Sequence, residues 1–232
     1  MPETAASLPG PVPPLGAGRT VAAFDFDGTL TTSDSLRDFV RFTVGPVRYA
    51  AGALCAAPWL LGALAHLCGR GSAKAHFLAA TLGGWTRPAL EAAARRYVEQ
   101  RLPALVRPEM AERLRAHGQL DHLRVLVSAS PGLYLRRWAA QAGFDAVLAT
   151  ELEFRDDRFT GRLAGPNCWG PEKVRRLRQW FGDEPARVAY AYGDSRGDRE
   201  MLAFAEQAWL RGQGALPEIG AGQRNGSLRH SE

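Results

Sequence analysis

Cysteine is scarce in this chain: three in 232 residues, Cys55, Cys68 and Cys168. No two have the spacing of a zinc knuckle or a redox pair, and so sparse and odd a set builds no disulfide framework. Such usage suits a reducing compartment, and the chain is read as cytoplasmic. The five histidines, His66, His76, His117, His122 and His230, also lack ligand spacing and are assigned ordinary surface or core roles. The start of the chain is Pro/Gly-rich where a secretory signal would be basic and then apolar. No basic segment has the character of a nucleic-acid-binding module, so nucleic acid is not expected as a partner. Composition is not extreme either. With 46% apolar and 23% charged residues the chain is no disordered polymer, and its length suits one domain carrying an insert. The net charge of +5 leans towards anionic partners, such as phosphorylated metabolites or an anionic membrane surface.

What is present is an alternation of strands and helices. Residues 1–19 read as a disordered tail and 212–232 as a flexible one. Between them, strands are predicted over 20–26, 123–127, 146–149 and 187–192, with a short fifth over 207–210. Helices are predicted over 108–117, 131–142, 171–181 and 198–205. This order implies an α/β fold with a doubly wound parallel sheet. Residues 154–159 read as a tight hairpin turning at Asp156-Asp157. The gap between the first two strands is too long for a single crossover helix. Residues 31–106 therefore form a helical cap, and 20–30 with 107–211 form the core.

Within that cap, residues 49–69 contain no charge. Their length reaches the ~20 residues of a spanning helix, yet Pro58, several glycines and His66 interrupt them. A single crossing would also put Asp25 and the later motifs on opposite sides of a bilayer. Two readings stay open. One is a buried pair of cap helices; the other is peripheral or re-entrant membrane contact turning at Pro58, on the inner face of the membrane.

The chemistry begins at Phe24-Asp25-Phe26-Asp27-Gly28-Thr29, where an apolar strand delivers two carboxylates into a glycine turn. Open α/β sheets place their ligands at this end of a strand. Two like charges held together ask for a cation or a proton. Three later segments share the geometry. Val127-Ser128-Ala129-Ser130-Pro131 ends a strand on a hydroxyl, with Ser130 as N-cap and Pro131 in the first helical position. Gly170-Pro171-Glu172-Lys173 puts a lysine at a helix start, where the dipole disfavours it unless an anion is near. Gly193-Asp194-Ser195-Arg196-Gly197-Asp198 supplies two carboxylates four residues apart. Taken singly, each has an ordinary alternative: a turn serine, a solvated lysine, a helix cap.

In this order the four segments resemble the motifs of the haloacid dehalogenase (HAD) superfamily, in the branch with a helical cap after the first motif. That branch includes phosphoserine phosphatases and C-type phosphatidylglycerophosphatases. The resemblance implies a phosphatase in which Asp25 is the nucleophile and Asp27 the general acid and base. It implies Mg2+ held by Asp25, the Asp27 carbonyl, Asp194 and Asp198, the last through water. Thr29, Ser128, Ala129 and Lys173 would bind the phosphate. Asp34, nine residues after the nucleophile, and Lys74 are the cap's candidates for substrate contact. Asp34 stands where phosphoserine phosphatases carry glutamate, and Ala129-Ser130 replaces their Gly-Gly. Together with the uncharged cap segment, these departures favour a lipid head-group phosphate such as phosphatidylglycerophosphate. A small phosphorylated metabolite of phosphoserine or histidinol phosphate type is the alternative. A non-catalytic HAD-like binding module is the remaining one.

Overall fold

A computed structural model describes residues 19–65, 67–184 and 187–220. Residues 1–18 and 221–232, which hold most of the two predicted tails, lie outside them, as does His66. Five strands form one parallel sheet: β1 (Val21–Phe24), β2 (Leu123–Pro131), β3 (Ala146–Thr150), β6 (Val188–Gly193) and β7 (Ala205–Leu210). Their order is β3-β2-β1-β6-β7. The chain thus leaves β1 in both directions, which makes the carboxyl end of β1 the topological switch point of the sheet.

β1 is buried on both faces, which is why its sequence is continuously apolar. Ala22 and Phe24 enter one core cluster with Leu126, Tyr190 and Tyr192. Val21 and Ala23 enter the other with Val125, Leu177 and Met201. Around the sheet lie α4 (Pro108–Gln119), α5 (Gly132–Ala142), α6 (Pro171–Phe181) and α7 (Arg199–Ala203). The predicted fifth strand is longer than the sequence implied, starting at Ala205. Helix α7 is correspondingly shorter and follows a separate tight turn at Arg196–Asp198.

The insert consists of α1 (Ser35–Leu64), α2 (Arg70–Leu82) and α3 (Arg87–Gln100). Its two linkers run side by side, with Thr31 bridging Val106 and Thr32 N–H donating to the Leu105 carbonyl at 2.8 Å. The hairpin of β4 (Leu152–Arg155) and β5 (Arg158–Leu163) buttresses α2. Its turn residues Asp156 and Asp157 both have positive φ, 46° and 57°, as a two-residue hairpin turn demands. At Gly161 a Cβ would stand 2.9 Å from the Ala79 Cα.

Two details of the sequence readings of 49–69 need correction, the turn at Pro58 and the burial of the helix pair. The chain does not turn at Pro58; α1 runs straight through it to Leu64. The break lies earlier, at Gly45, whose φ of 77° and ψ of 167° are non-helical, and Pro46 restarts the helix in its favoured first position. An interior proline costs a helix about 3 kcal/mol. Packing against α2 on both sides of Pro58 offsets it: Tyr49 meets Phe77, and Trp59 stacks on His76 at 4.0 Å. Nor is the pair a buried bundle. Gly52 and Ala56 face α2, while the opposite side of α1 stays open.

Part of the segment after β7, up to residue 220, packs on the fold. Leu216 and Ile219 pack on the core, and the Pro217 carbonyl accepts from Arg113 at 2.7 Å.

Candidate active site

Three strand ends converge on one cavity of about 690 Å³ between sheet and cap. β1 delivers Asp25, whose N–H is tied back to the Tyr192 carbonyl at 2.9 Å. A wide turn over Phe26–Leu30 follows, with Gly28 at φ 79°. Glycine is required here twice over: for the left-handed backbone, and because a Cβ would lie 2.0 Å from Asp194 Oδ2. A Gly28→Ala variant is expected to lose about 1–2 kcal/mol of stability to backbone strain. By displacing Asp194 it should also weaken divalent-metal affinity roughly tenfold or more. Thermal melting with and without metal reads both effects.

Lys173, from the first turn of α6, is fully buried and is the hub of the site. Its ammonium donates to Asp25 Oδ1 and to Asp198 Oδ1, both at 2.6 Å, and to the Val127 carbonyl at 2.8 Å. The anion that its helix-start position called for is therefore a pair of carboxylates. Burial alone would lower the lysine's pKa, but these two neighbours raise it above its ordinary value. Asp25 is raised by burial, which Lys173 opposes and the charges of Asp198 and Asp27 reinforce.

Asp198 does not serve as the cap of its helical turn. Ser195 takes that place, its Oγ accepting from Gly197 N–H at 3.2 Å. Asp198 Oδ2 accepts from the N–H groups of Asp194 and Ser195, at 3.1 and 3.0 Å. Among the described residues, the Asp194 carboxylate accepts no hydrogen bond. Burial first, then the charge of Asp198, raises its pKa.

Asp25, Asp194 and Asp198 each offer a carboxylate oxygen within 4.8 Å of the others. Hard oxygen donors, excess negative charge and one carboxylate without a protein donor are the chemistry of a divalent hard-cation site. These residues fit such an ion. Asp198, with both oxygens engaged, is suited to an outer role through water.

Asp27 is not part of this trio, and its carboxylate is engaged elsewhere. Its carboxylate accepts from Ser35 N–H at 2.6 Å and from Ser130 Oγ at 2.5 Å. Burial, and then the charge of Asp34, raises its pKa despite those two donors. A carboxyl at the cavity wall with its pKa raised in this way is suited to give a proton to a leaving group and later take one from water.

Several other sequence expectations are adjusted. Ser130 is not an N-cap; its hydroxyl serves Asp27, and Pro131 occupies the cap position one residue ahead of the helix. β2 carries a register shift between Ser128 and Pro131 that turns Ala129 and Ser130, rather than Ser128, onto the cavity wall. Ser128 is buried, its Oγ accepting from Ser130 N–H at 3.0 Å. Thr29 is buried too, and its Oγ1 donates to Asp25 Oδ2 at 3.0 Å. It orients that carboxylate instead of lining the cavity.

From the cap, Asp34 and Lys74 both line the cavity. Asp34 caps α1 by accepting from Arg37 N–H at 3.0 Å. Lys74, depressed to about 8 by burial, donates to the Ala129 carbonyl at 2.7 Å and to Asn167 Oδ1 at 2.9 Å, latching cap to core. Sequence reasoning missed Ser35, Asn167 and Arg211. Ser35 and Asn167 are ordinary loop and cap residues until the fold brings distant segments together. Arg211, assigned to the very end of the core, lines the cavity with its N–H on the Gly193 carbonyl at 2.8 Å.

Fold and site together define a capped α/β protein with a lysine-braced cluster of buried carboxylates at the switch point of its sheet. Residues 22–203 match the family model of haloacid dehalogenase-like hydrolases. The chain belongs to that family, with a helical cap inserted after its first strand. Protein CicA of Caulobacter vibrioides is 39% identical over 198 residues, 85% of this chain and 88% of that protein. A solved protein of unknown function from Bordetella pertussis Tohama I is 25% identical with a TM-score of 0.70, covering 82% of this chain and 88% of its own. A phospho-aspartyl intermediate analogue of phosphoserine phosphatase shares the fold at 16% identity and a TM-score of 0.58, over 82% and 85% of the two chains.

Proposed function

We propose that the protein is a magnesium-dependent phosphomonoester hydrolase that works through an aspartyl-phosphate on Asp25. The observation that carries this is the division of labour between the two aspartates. Asp25 is gripped by Lys173 beside two further carboxylates, whereas Asp27 is held apart by Ser35 and Ser130. A carboxylate oxygen of Asp25 attacks phosphorus as the bond to the substrate alcohol breaks, and Asp27 supplies the proton that alcohol takes. Water then attacks the phosphorus of the acyl phosphate, losing its proton to Asp27 and releasing inorganic phosphate and free Asp25. Lys173 holds Asp25 and Asp198 in place and offsets their charge. Bound Mg2+ on Asp25, the Asp27 carbonyl and Asp194 would neutralise the repulsion between carboxylate and phosphate.

The favoured substrate is a lipid-type phosphate monoester such as phosphatidylglycerophosphate. What supports it is the cavity's mixed polar and apolar lining. The core lines it with Asp25, Asp27, Lys173 and Asp194, and the cap adds Leu60, Ala63, Leu64 and Phe77 beside Arg37, Arg70 and Lys74. An apolar wall of this kind holds an acyl or alkyl chain better than an amino acid.

A panel of phosphatidylglycerophosphate in mixed micelles, phosphoserine and histidinol phosphate tests both parts. The expected result is Mg2+-dependent phosphate release with the highest kcat/KM on the lipid. A preference for phosphoserine or histidinol phosphate would remove the lipid assignment and leave the chemistry. No turnover of any phosphomonoester, aryl phosphates included, would remove the enzyme.

A further inference from the structure

Between Phe39 and Leu90 the chain has no Asp or Glu, yet it has Arg41, Arg48, Arg70, Lys74 and Arg87. This cationic stretch contains the outer arm of α1, residues 46–64, about 28 Å long at the helical rise. One side of the arm is committed to α2 through Gly52, Ala56 and Trp59. The other side exposes a stripe at seven-residue spacing: Val47, Leu54 and Leu61 are 83%, 77% and 64% exposed, joined at the tip by Leu64 and Leu67 at 75% and 84%. Scattered apolar exposure is ordinary on a protein surface; a continuous stripe along one helix is not.

We propose that this outer face of α1 is a docking surface for an anionic lipid bilayer, lying in the plane of the interface. Charge selects this occupant. Arg48 at the base of the arm, with its Nε on the Thr81 carbonyl, and Arg70 just past its tip, over the Trp169 ring, are exposed at the two ends of the arm. The stretch between Phe39 and Leu90 carries no acid to counter them, as an interfacial helix on anionic lipid requires. By length and composition α1 could also cross a membrane. A crossing would strip Gly52 and Ala56 from α2. It would also pull on the inner turn of the same helix, where Ser35 holds Asp27. In-plane docking keeps all these contacts and wets only the free face. It also brings the cavity's apolar cap residues to the lipid, because Leu60 and Leu64 line the cavity from the same arm.

The test is co-sedimentation of the full chain with vesicles of phosphatidylglycerol in phosphatidylcholine, and of phosphatidylcholine alone. The expected result is sedimentation with the anionic vesicles, weakened by salt and weak on the neutral ones. The pair Leu54→Glu and Leu61→Glu, at exposed positions outside the cavity, should cut partitioning roughly tenfold or more. Its circular dichroism and melting temperature should match the parent's. Asp25→Asn should sediment like the parent, so a failure of the catalytic reading does not disturb this result. Protein that stays in the supernatant overturns the proposal, as does a Glu pair that binds as well as the parent. Dimers seen by light scattering, broken by the Glu pair without any vesicle binding, would assign the stripe to a second copy of the chain and equally overturn it.

Discussion

Asp25→Asn is expected to abolish phosphate release from any phosphomonoester, with a loss on the order of 10⁴-fold or more in kcat. Asparagine has nearly the same shape, so Thr29 and the strand–turn geometry keep their places. Its amide oxygen is neutral and forms no stable acyl phosphate, so the first chemical step disappears. Folding should survive, because the substitution removes one of several crowded carboxylates from a buried site that already favours less negative charge. Steady-state phosphate assays with Mg2+ read the loss, and circular dichroism reads the fold. Substantial remaining turnover would mean that water attacks phosphorus directly, and Asp25 would then be only a ligand or an electrostatic partner.

Asp25 was legible in the sequence because its position is dictated by backbone. A short apolar strand buried on both faces must end in a turn, and the glycine at position 28 makes room for the carboxylate that β6 brings in. The same holds for Asp194 and Asp198, whose spacing follows from a strand end running into a helical turn. Lys173 was legible through an electrostatic conflict, a cation placed where the helix dipole disfavours it. Side-chain direction was not legible. Ser128 and Thr29 stand in the right segments, but the register shift in β2 and the turn after β1 aim their hydroxyls at neighbouring protein groups. Ser130 was given a local partner, its own helix, when a carboxylate 103 positions away claims it. The cap shows the same division. That an insert of helices follows the first strand is plain from spacing alone. Where its long helix breaks depends on tertiary packing: α2 holds the helix straight through Pro58, while the left-handed backbone at Gly45 lets it bend.

These two kinds of legibility bear on how function is divided along the chain. Backbone-dictated positions hold the buried carboxylates and Lys173. The cap, whose apolar and cationic surface is set by composition more than by motif, supplies apolar cavity lining and the exposed stripe. A single helix links the two: its first residue holds Asp27, and its far end forms the apolar wall of the cavity.

Lys173→Met should be the most destabilising single change in the site, and magnesium should reverse a large part of it. Methionine nearly matches lysine in volume, so the effect reports charge and not a cavity. Without the ammonium, Asp25 and Asp198 lose a partner at 2.6 Å each while remaining buried. Breaking a buried ion pair from one side costs about 3–5 kcal/mol. For a chain of this length that corresponds to a fall in melting temperature of roughly 10 °C. Added Mg2+ supplies the missing positive charge, so its stabilising increment should be larger in the variant than in the parent protein. Activity at saturating Mg2+ should still drop by about 10²–10³-fold, because a divalent ion beside Asp194 cannot also stand where the lysine braces Asp25. Thermal melts of both proteins across a magnesium series decide the matter. Equal magnesium increments in the two would mean that Lys173 and the ion do not share a field, and the carboxylate trio would then not be the place where the metal sits.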